Sequence, residues 1–265
     1  MEWKKVRNWL ILLVLAVDLF LAGNLLRQAL QAQQTLRQAA ADAVSVAHSR
    51  GVDIQLENVL QLPLEMAQYQ AQRSDALEQA AADVLLGGSA SQELPGGGVS
   101  IYRTGDGEMS FRRGGALEMN GPWSGMTFDM KECALILESA GFSMEDAILS
   151  DQNDAVELMQ GFEDLPVFNS RVICLYQDGR LQVRGRWMLG ESLSATDASM
   201  SRAQMVLALC DLVEEQQVTQ LYSVQAGYYL QSENAQSLTL EPVWAVETEK
   251  GQLILSCISG EQVNF

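Results

Sequence analysis

The sequence is poor in the side chains that most enzymes use. It has one histidine, His48, and four lysines, Lys4, Lys5, Lys131 and Lys250. A Ser-His-Asp or Cys-His constellation needs an imidazole, so within one chain it must be built around His48. His48 lies in an Ala/Gln-rich run and reads as a solvated helix residue. The positions three before the lysines are Met1, Glu2, Phe128 and Glu247, so the S-x-x-K dyad is absent. No G-x-G-x-x-G or Walker A sequence occurs. The four cysteines, Cys133, Cys174, Cys210 and Cys257, are 41, 36 and 47 residues apart, with no C-x-x-C, which argues against zinc. An even count permits two disulfides in three pairings. Each cysteine sits inside an apolar stretch (ECALIL, VICLY, LALCDL, LSCIS), and buried free thiols are the favoured reading.

Positive charge is also scarce. Lys+Arg is 17 against Asp+Glu 34, a net charge of −17 and a pI near 4.3. A nucleic-acid partner needs a basic footprint to displace counterions from phosphate, and none exists here. The hydrophobic fraction of 48% is enough for a sizeable core and excludes wholesale disorder.

The N-terminus reads MEWKKVRNWLILLVLAVDLFLAGNLLRQ, and residues 8–26 carry one charge, Asp18. Nineteen residues at about 1.5 Å each come close to the ~30 Å hydrocarbon core of a bilayer. Lys4, Lys5 and Arg7 precede the run and only Arg27 follows it closely. The positive-inside rule then predicts a cytoplasmic N-terminus and an extracytoplasmic remainder. No A-x-A cleavage site follows the run, so an uncleaved single-pass anchor is preferred to a signal peptide. The 239 residues beyond it hold 14 basic and 32 acidic groups, so the acidity lies wholly outside the membrane. Asp18 stands near the middle of the span, where a lipid-facing carboxylate costs ~2.5–3.5 kcal/mol. Ile11, Val14 and Leu21 share its helical face. These four residues are the candidate partner interface within the membrane, through a hydrogen bond from Asp18 to another helix.

Residues 24–50 are rich in Ala, Gln, Leu and Arg and predict a helical stalk continuous with the span. Val52, Ile54 and Leu56 alternate as in a short strand. Residues 64–86 read as a second helix, and GGSASQELPGGG at 87–98 as a linker. Residues 99–103 and 108–113 flank a turn at Gly105-Asp106-Gly107. A helix is predicted over 129–140, with Asp129 as N-cap and Gly141 as stop. Three strands with a hairpin turn at Asp178-Gly179 follow. A further helix over 199–215 precedes three more strands, turning at Lys250-Gly251. Lys131 to Gly179 and Ala203 to Gly251 are both spacings of 48 residues, which suggests a repeat of one helix and three antiparallel strands. Asp151-Gln152-Asn153-Asp154 is oxygen-rich but lacks the spaced ligands of a calcium loop. Tyr228, Tyr229 and Trp244 alternate on strands, which favours core over partner surface.

Several of these stretches resemble a known family. The opening MEWKKVRNWLILLVLAVDLFL, the segment Q-G…PVFN at 160–169, and YSVQAGYYLQ…LEPVWAVETEKGQLIL…SGE near the carboxyl end are similar to the YycI family of single-pass regulators of the WalK sensor kinase. Asp18 departs from the Asn expected there. The resemblance implies a non-enzymatic protein that contacts a sensor histidine kinase through its membrane helix and outer domains, beside a YycH-like partner, in control of the cell wall.

The expected fold is α+β: an N-terminal transmembrane helix and helical stalk, then two similar helix-plus-antiparallel-sheet units. The expected boundaries are 1–26 for the cytoplasmic tip and anchor, 27–50 for the stalk, 51–98 for a small strand-helix region with its linker, and 99–190 and 191–265 for the two units. No catalytic residue, metal or cofactor is expected. The alternative function is an extracytoplasmic PepSY-like binding or inhibitory module acting on a cell-wall enzyme or protease. A wall hydrolase using paired carboxylates has no constellation behind it.

Overall fold

The computed structural model describes residues 3–263 except 124, 126, 143–148, 153–154, 198, 219 and 233–236; for 3–12, 16, 25, 26, 29, 149–152, 191–194 and 197 it describes the backbone alone. The chain starts with one long helix, α1 (Trp3–Ser49), followed by α2 (Leu56–Gln61). At 1.5 Å per residue α1 is about 70 Å long. Among the described residues no helix is long and apolar enough to cross a membrane. The predicted span 8–26 falls partly outside them, since the side chains of 8–12, 16, 25 and 26 are not described.

The rest is a mixed α+β body with a large mixed sheet and few helices. One antiparallel section contains β2 (Ser91–Gly96), β3 (Val99–Arg103), β4 (Glu108–Phe111), β5 (Ala116–Pro122), β6 (Leu149–Gln152), β7 (Ala155–Phe162), β8 (Leu165–Gln177) and β9 (Arg180–Arg186). Its spatial order is β6-β7-β8-β9-β5-β4-β3-β2. The other section contains β1 (Ala67–Arg73), β10 (Gly190–Asp197), β11 (Leu221–Ser232), β12 (Ser237–Thr248) and β13 (Gly251–Ser256). Its order is β10-β1-β12-β11, with β13 pairing the far half of β12. A single parallel bridge, Tyr228 to Val167, joins the sections. Gly227 makes this approach feasible: a Cβ there would lie 2.5 Å from both the Phe168 ring and the Pro166 carbonyl. Asn169 extends the join, because its amide exchanges two hydrogen bonds with the backbone of Leu230, at 2.9 and 2.7 Å.

Each section buries one face under helices. Helices α3 (Asp75–Leu85) and α4 (Met130–Ser139) place Ala81, Ala82, Cys133 and Leu137 on Tyr102, Phe111, Leu117 and Val172. The second core is closed by α5 (Arg202–Gln216) and the upper end of α1. Ala40, Ala43, Val44 and Ala47 recur at helical spacing and are buried with Met205, Val206 and Leu209 over β11 and β12. Local signals agree with these helices. Asp129 accepts from the Glu132 amide at 2.9 Å, and Ser201 forms a capping box with Gln204. The Lys250 ammonium donates to the Gln216 carbonyl at the end of α5, 2.6 Å away. Two runs of helix and antiparallel meander occur, but they differ: α4-β6-β7-β8-β9 has four strands and α5-β11-β12-β13 has three.

Three local expectations are corrected. Residues 52–56 form no strand: Val52 and Ile54 are buried beneath the turn after α1, and the chain then enters α2. Residues 64–86 are not one helix. AQYQAQR over 67–73 is a strand between β10 and β12, and Ser74 caps the shorter α3. Helix propensity is a small term, and ladder bonds on both edges outweigh it. Residues 91–96 of the expected linker are β2, an exposed edge strand paired with β3 that tolerates Pro95. β5, β6 and β10 carry no strand expectation from the sequence.

A buried ion pair ties these parts together. Arg73 of β1 meets Glu78 of α3 in a two-pronged contact, Nε to Oε1 at 2.7 Å and Nη2 to Oε2 at 2.9 Å. Their side chains are only 6% and 2% exposed. Arg73 Nη1 also donates to the Gly98 carbonyl, and the Tyr102 hydroxyl to Glu78. Burial first, then the Glu78 charge, pushes the Tyr102 hydroxyl up to about 12.

Candidate functional site

The expected membrane interface lies on the free part of α1. Val14, Asp18 and Leu21 are exposed at i, i+4 and i+7, on one face. The Ile11 side chain lies outside the described residues. Exposure around this stretch is general: Leu13, Leu15, Val17, Leu19 and Phe20 are all at least 49% exposed. The same helix is core material 20 residues later.

His48 does more than expected of it. Its Nε2 lies 2.9 Å from the Ile54 carbonyl, and it is half-exposed beside Asp53, so it fastens the turn that ends α1. Tyr228 and Trp244 are core residues, as alternation implied, while Tyr229 is buried on the opposite face of the section. All four cysteines are buried free thiols. The Cys174 thiol is pushed well up by a hydrogen bond with Cys133 and by burial, and Cys257 is pushed up to about 12, mainly by burial. Such thiols are poor nucleophiles at neutral pH. Of the oxygen-rich run, Asp151 and Gln152 are the end of strand β6 rather than loop, and Asn153 and Asp154 lie outside the described residues. Among the described residues no group of three metal-capable side chains occurs.

One large cleft among the described residues was not anticipated. It has a volume of about 1160 Å³ and opens where α1 enters the body. Leu36 and Ala39 of α1 form one wall, Leu64 to Ala67 another, the N-terminus of α5 a third and the β7–β8 turn the fourth. Two smaller clefts also reach Asp164 in that turn.

The turn itself is unusual. Phe162 pairs with Leu165, leaving Glu163 and Asp164 as a two-residue loop with φ of 48° and 59°. Two positive φ values suit the right-handed twist of a hairpin, but ordinarily favour Asn-Gly or Asp-Gly. The β8–β9 turn obeys that preference with Asp178 and Gly179, φ 53° and 77°. At the cleft the same backbone is built from two carboxylates, at a cost of ~1–2 kcal/mol per non-glycine residue. Glu163 Oε1 accepts from the Tyr69 hydroxyl at 2.5 Å, and Oε2 from Tyr228 at 3.4 Å. Tyr69, Phe162 and Tyr228 pack edge to face with centroids 4.9–6.0 Å apart. Burial, then the Glu163 charge, raises the Tyr228 hydroxyl above its ordinary value. Arg202 is the basic side chain of the lining, and it donates to the Leu62 and Pro63 carbonyls.

The motif at 160–169 is structural. The Gln160 amide exchanges hydrogen bonds with the backbone of Met188, both at 3.0 Å, and accepts from Ser170 at 2.7 Å. It therefore replaces a ladder pair between β7 and the segment after β9, as Asn169 does between β8 and β11.

No family model and no curated protein matches the chain. Among solved structures, an uncharacterized protein from Eubacterium rectale ATCC 33656 is similar at 10% identity, over 76% of this chain and 86% of its own, with a TM-score of 0.43. The Bacillus megaterium YpeB C-terminal domain is similar at 9% identity, over 73% of this chain and 99% of its own, with a TM-score of 0.36.

Proposed function

We propose that the protein is a membrane-anchored, non-enzymatic regulator that works by contact. Residues 8–26 anchor it with the N-terminus in the cytoplasm, and residues 27–265 act outside the membrane. Its partner, on the sequence resemblance, is a WalK-like sensor histidine kinase controlling cell-wall homeostasis, with a YycH-like protein beside it. The two helix-plus-meander runs are read as copies of one unit.

One observation carries this reading. The apolar, exposed stretch around Asp18 and the buried Ala40-Ala43-Val44-Ala47 stripe belong to the same unbroken helix. A shift of the membrane segment is thereby a shift of a core element. Polar groups in the membrane mark contacts with other helices, and Asp18 with Ile11, Val14 and Leu21 provides one.

The test is co-purification of the full chain from detergent-solubilised membranes with mass spectrometry, alongside response-regulator output. Asp18→Leu should insert at least as well but weaken the kinase complex by ~0.6–2 kcal/mol, the range for interhelical hydrogen bonds. Asp18→Asn should keep most of the interaction. Recovery of a wall enzyme or protease in place of a kinase would overturn the reading in favour of an inhibitory module.

A further inference from the structure

We propose that the cleft beside Glu163-Asp164 docks a basic, amphipathic helical segment of a partner held in the same membrane. The inference rests on the anchored topology given above and adds the place and chemistry of the outer contact.

Size sets the class of occupant. At about 1160 Å³ the cleft exceeds the ~300–1,000 Å³ usual for small-molecule pockets. Its walls are apolar where a helix face would rest: Leu36 and Ala39, Leu64 and Met66, and Leu165. Leu36 lies on the face of α1 that carries the buried stripe, four residues before Ala40, and is itself exposed. A helix seated in the cleft rests its apolar face on these wall side chains, in the helix-in-groove manner.

Charge sets the sign. Glu65, Glu163 and Asp164 line the opening. Glu163 is held in place by two tyrosine hydroxyls. Glu65 and Asp164 are exposed, and neither has an ion pair among the described residues. Against these three carboxylates the lining, among the described residues, holds one cation, Arg202, whose guanidinium is engaged with the Leu62 and Pro63 carbonyls. The unmatched charge is negative, so the complementary segment is cationic. Height agrees as well. Leu36 lies ten residues beyond the end of the predicted span, about 15 Å along a helix. A partner emerging from the same bilayer presents its membrane-proximal segment at that level.

The experiment uses the full chain in zwitterionic lipid nanodiscs and two fluorescein-labelled 18-residue helical peptides. One carries a leucine face with lysines opposite, and its twin carries glutamates in place of the lysines. Saturable anisotropy is expected for the lysine peptide alone. Glu163→Gln with Asp164→Asn should weaken it at least tenfold, and so should Leu36→Glu on the wall formed by α1. Glu65→Gln lies outside helices and strands and should weaken binding without touching the hairpin. Glu118→Gln and Glu157→Gln, on the far section of the sheet, should leave binding unchanged. Equal losses from the far substitutions would reduce the effect to net charge and overturn the proposal, as would binding of the glutamate twin or absence of saturation. A dimer in sedimentation that Leu36→Glu dissolves would make a second copy the occupant, and would also overturn it. Peptide binding needs no kinase. Loss of kinase co-purification with the peptide result intact would therefore fail the proposed function and leave the cleft assigned.

Discussion

Removing the Glu78 carboxylate is the sharpest test of how the two sections are held together. Its oxygens take two guanidinium bonds from Arg73, at 2.7 and 2.9 Å, with 2% of the side chain exposed. In Glu78→Gln the guanidinium stays buried with its charge unmatched. Breaking such a pair from one side costs ~3–5 kcal/mol. For a body of this size each kcal/mol moves the melting temperature by about 2–4 °C, so a drop of ~6–20 °C follows. Arg73→Met with Glu78→Leu removes both charges together and should recover much of the loss, because a matched buried pair adds little over an apolar one. The assays are thermal and urea unfolding of the full chain in detergent, followed by tryptophan fluorescence. Tyr102 gives a second readout. Part of the rise of its hydroxyl to about 12 comes from the Glu78 charge, so Glu78→Gln should bring its ultraviolet titration down. A raised phenol stabilises the fold fully below its ordinary value near 10 and loses that contribution as pH rises through the folded value. A loss below ~1 kcal/mol in Glu78→Gln, with the Tyr102 titration unmoved, would refute the claim that this pair is closed to solvent.

Other outcomes follow from the same packing. Native protein should resist alkylation at all four cysteines, and denatured, non-reduced protein should show four modified thiols by mass spectrometry; two or none would mean disulfides. Gly227→Ala should destabilise by ~1–3 kcal/mol, because its Cβ meets the Pro166 carbonyl, which backbone pairing holds in place; a neutral result would mean the sections separate readily. Asp129 is held below the ordinary carboxylate value by backbone hydrogen bonds to its side chain, with Thr127 adding to them. Its contribution is therefore present above the unfolded value and lost as pH falls through the lowered one. Asp129→Asn should flatten the acid limb of the stability profile, and an unchanged limb would remove the cap from the account.

What could be read from the sequence was what local chemistry decides. Asp129 and Gly141 bound α4 because a carboxylate satisfies free amides and glycine accepts positive φ. Asp178-Gly179 marked its hairpin for the same reason. β1 was hidden, because AQYQAQR is helix-forming in isolation and becomes a strand only between β10 and β12, each more than a hundred residues away. β2 was hidden by its proline and by the glycines at and around its ends, which an edge strand tolerates. The cleft was hidden because Glu163-Asp164 violates the turn preference that reveals the other hairpin. Its signal was available in one form: a short acidic pair between two apolar runs, QGFEDLPVF, where a turn was required and no glycine stood.

The central claim is that one rigid helix carries the membrane segment into the core. Spin labels at Leu21→Cys and Val46→Cys, both exposed positions on α1, test it directly by dipolar spectroscopy in nanodiscs. Twenty-five residues at 1.5 Å put the labels about 38 Å apart along the helix. One narrow distance distribution near that value is the predicted result. A broad distribution, or a peak well below it, would mean a stalk that bends, and a bending stalk cannot pass a shift of the anchor to the body.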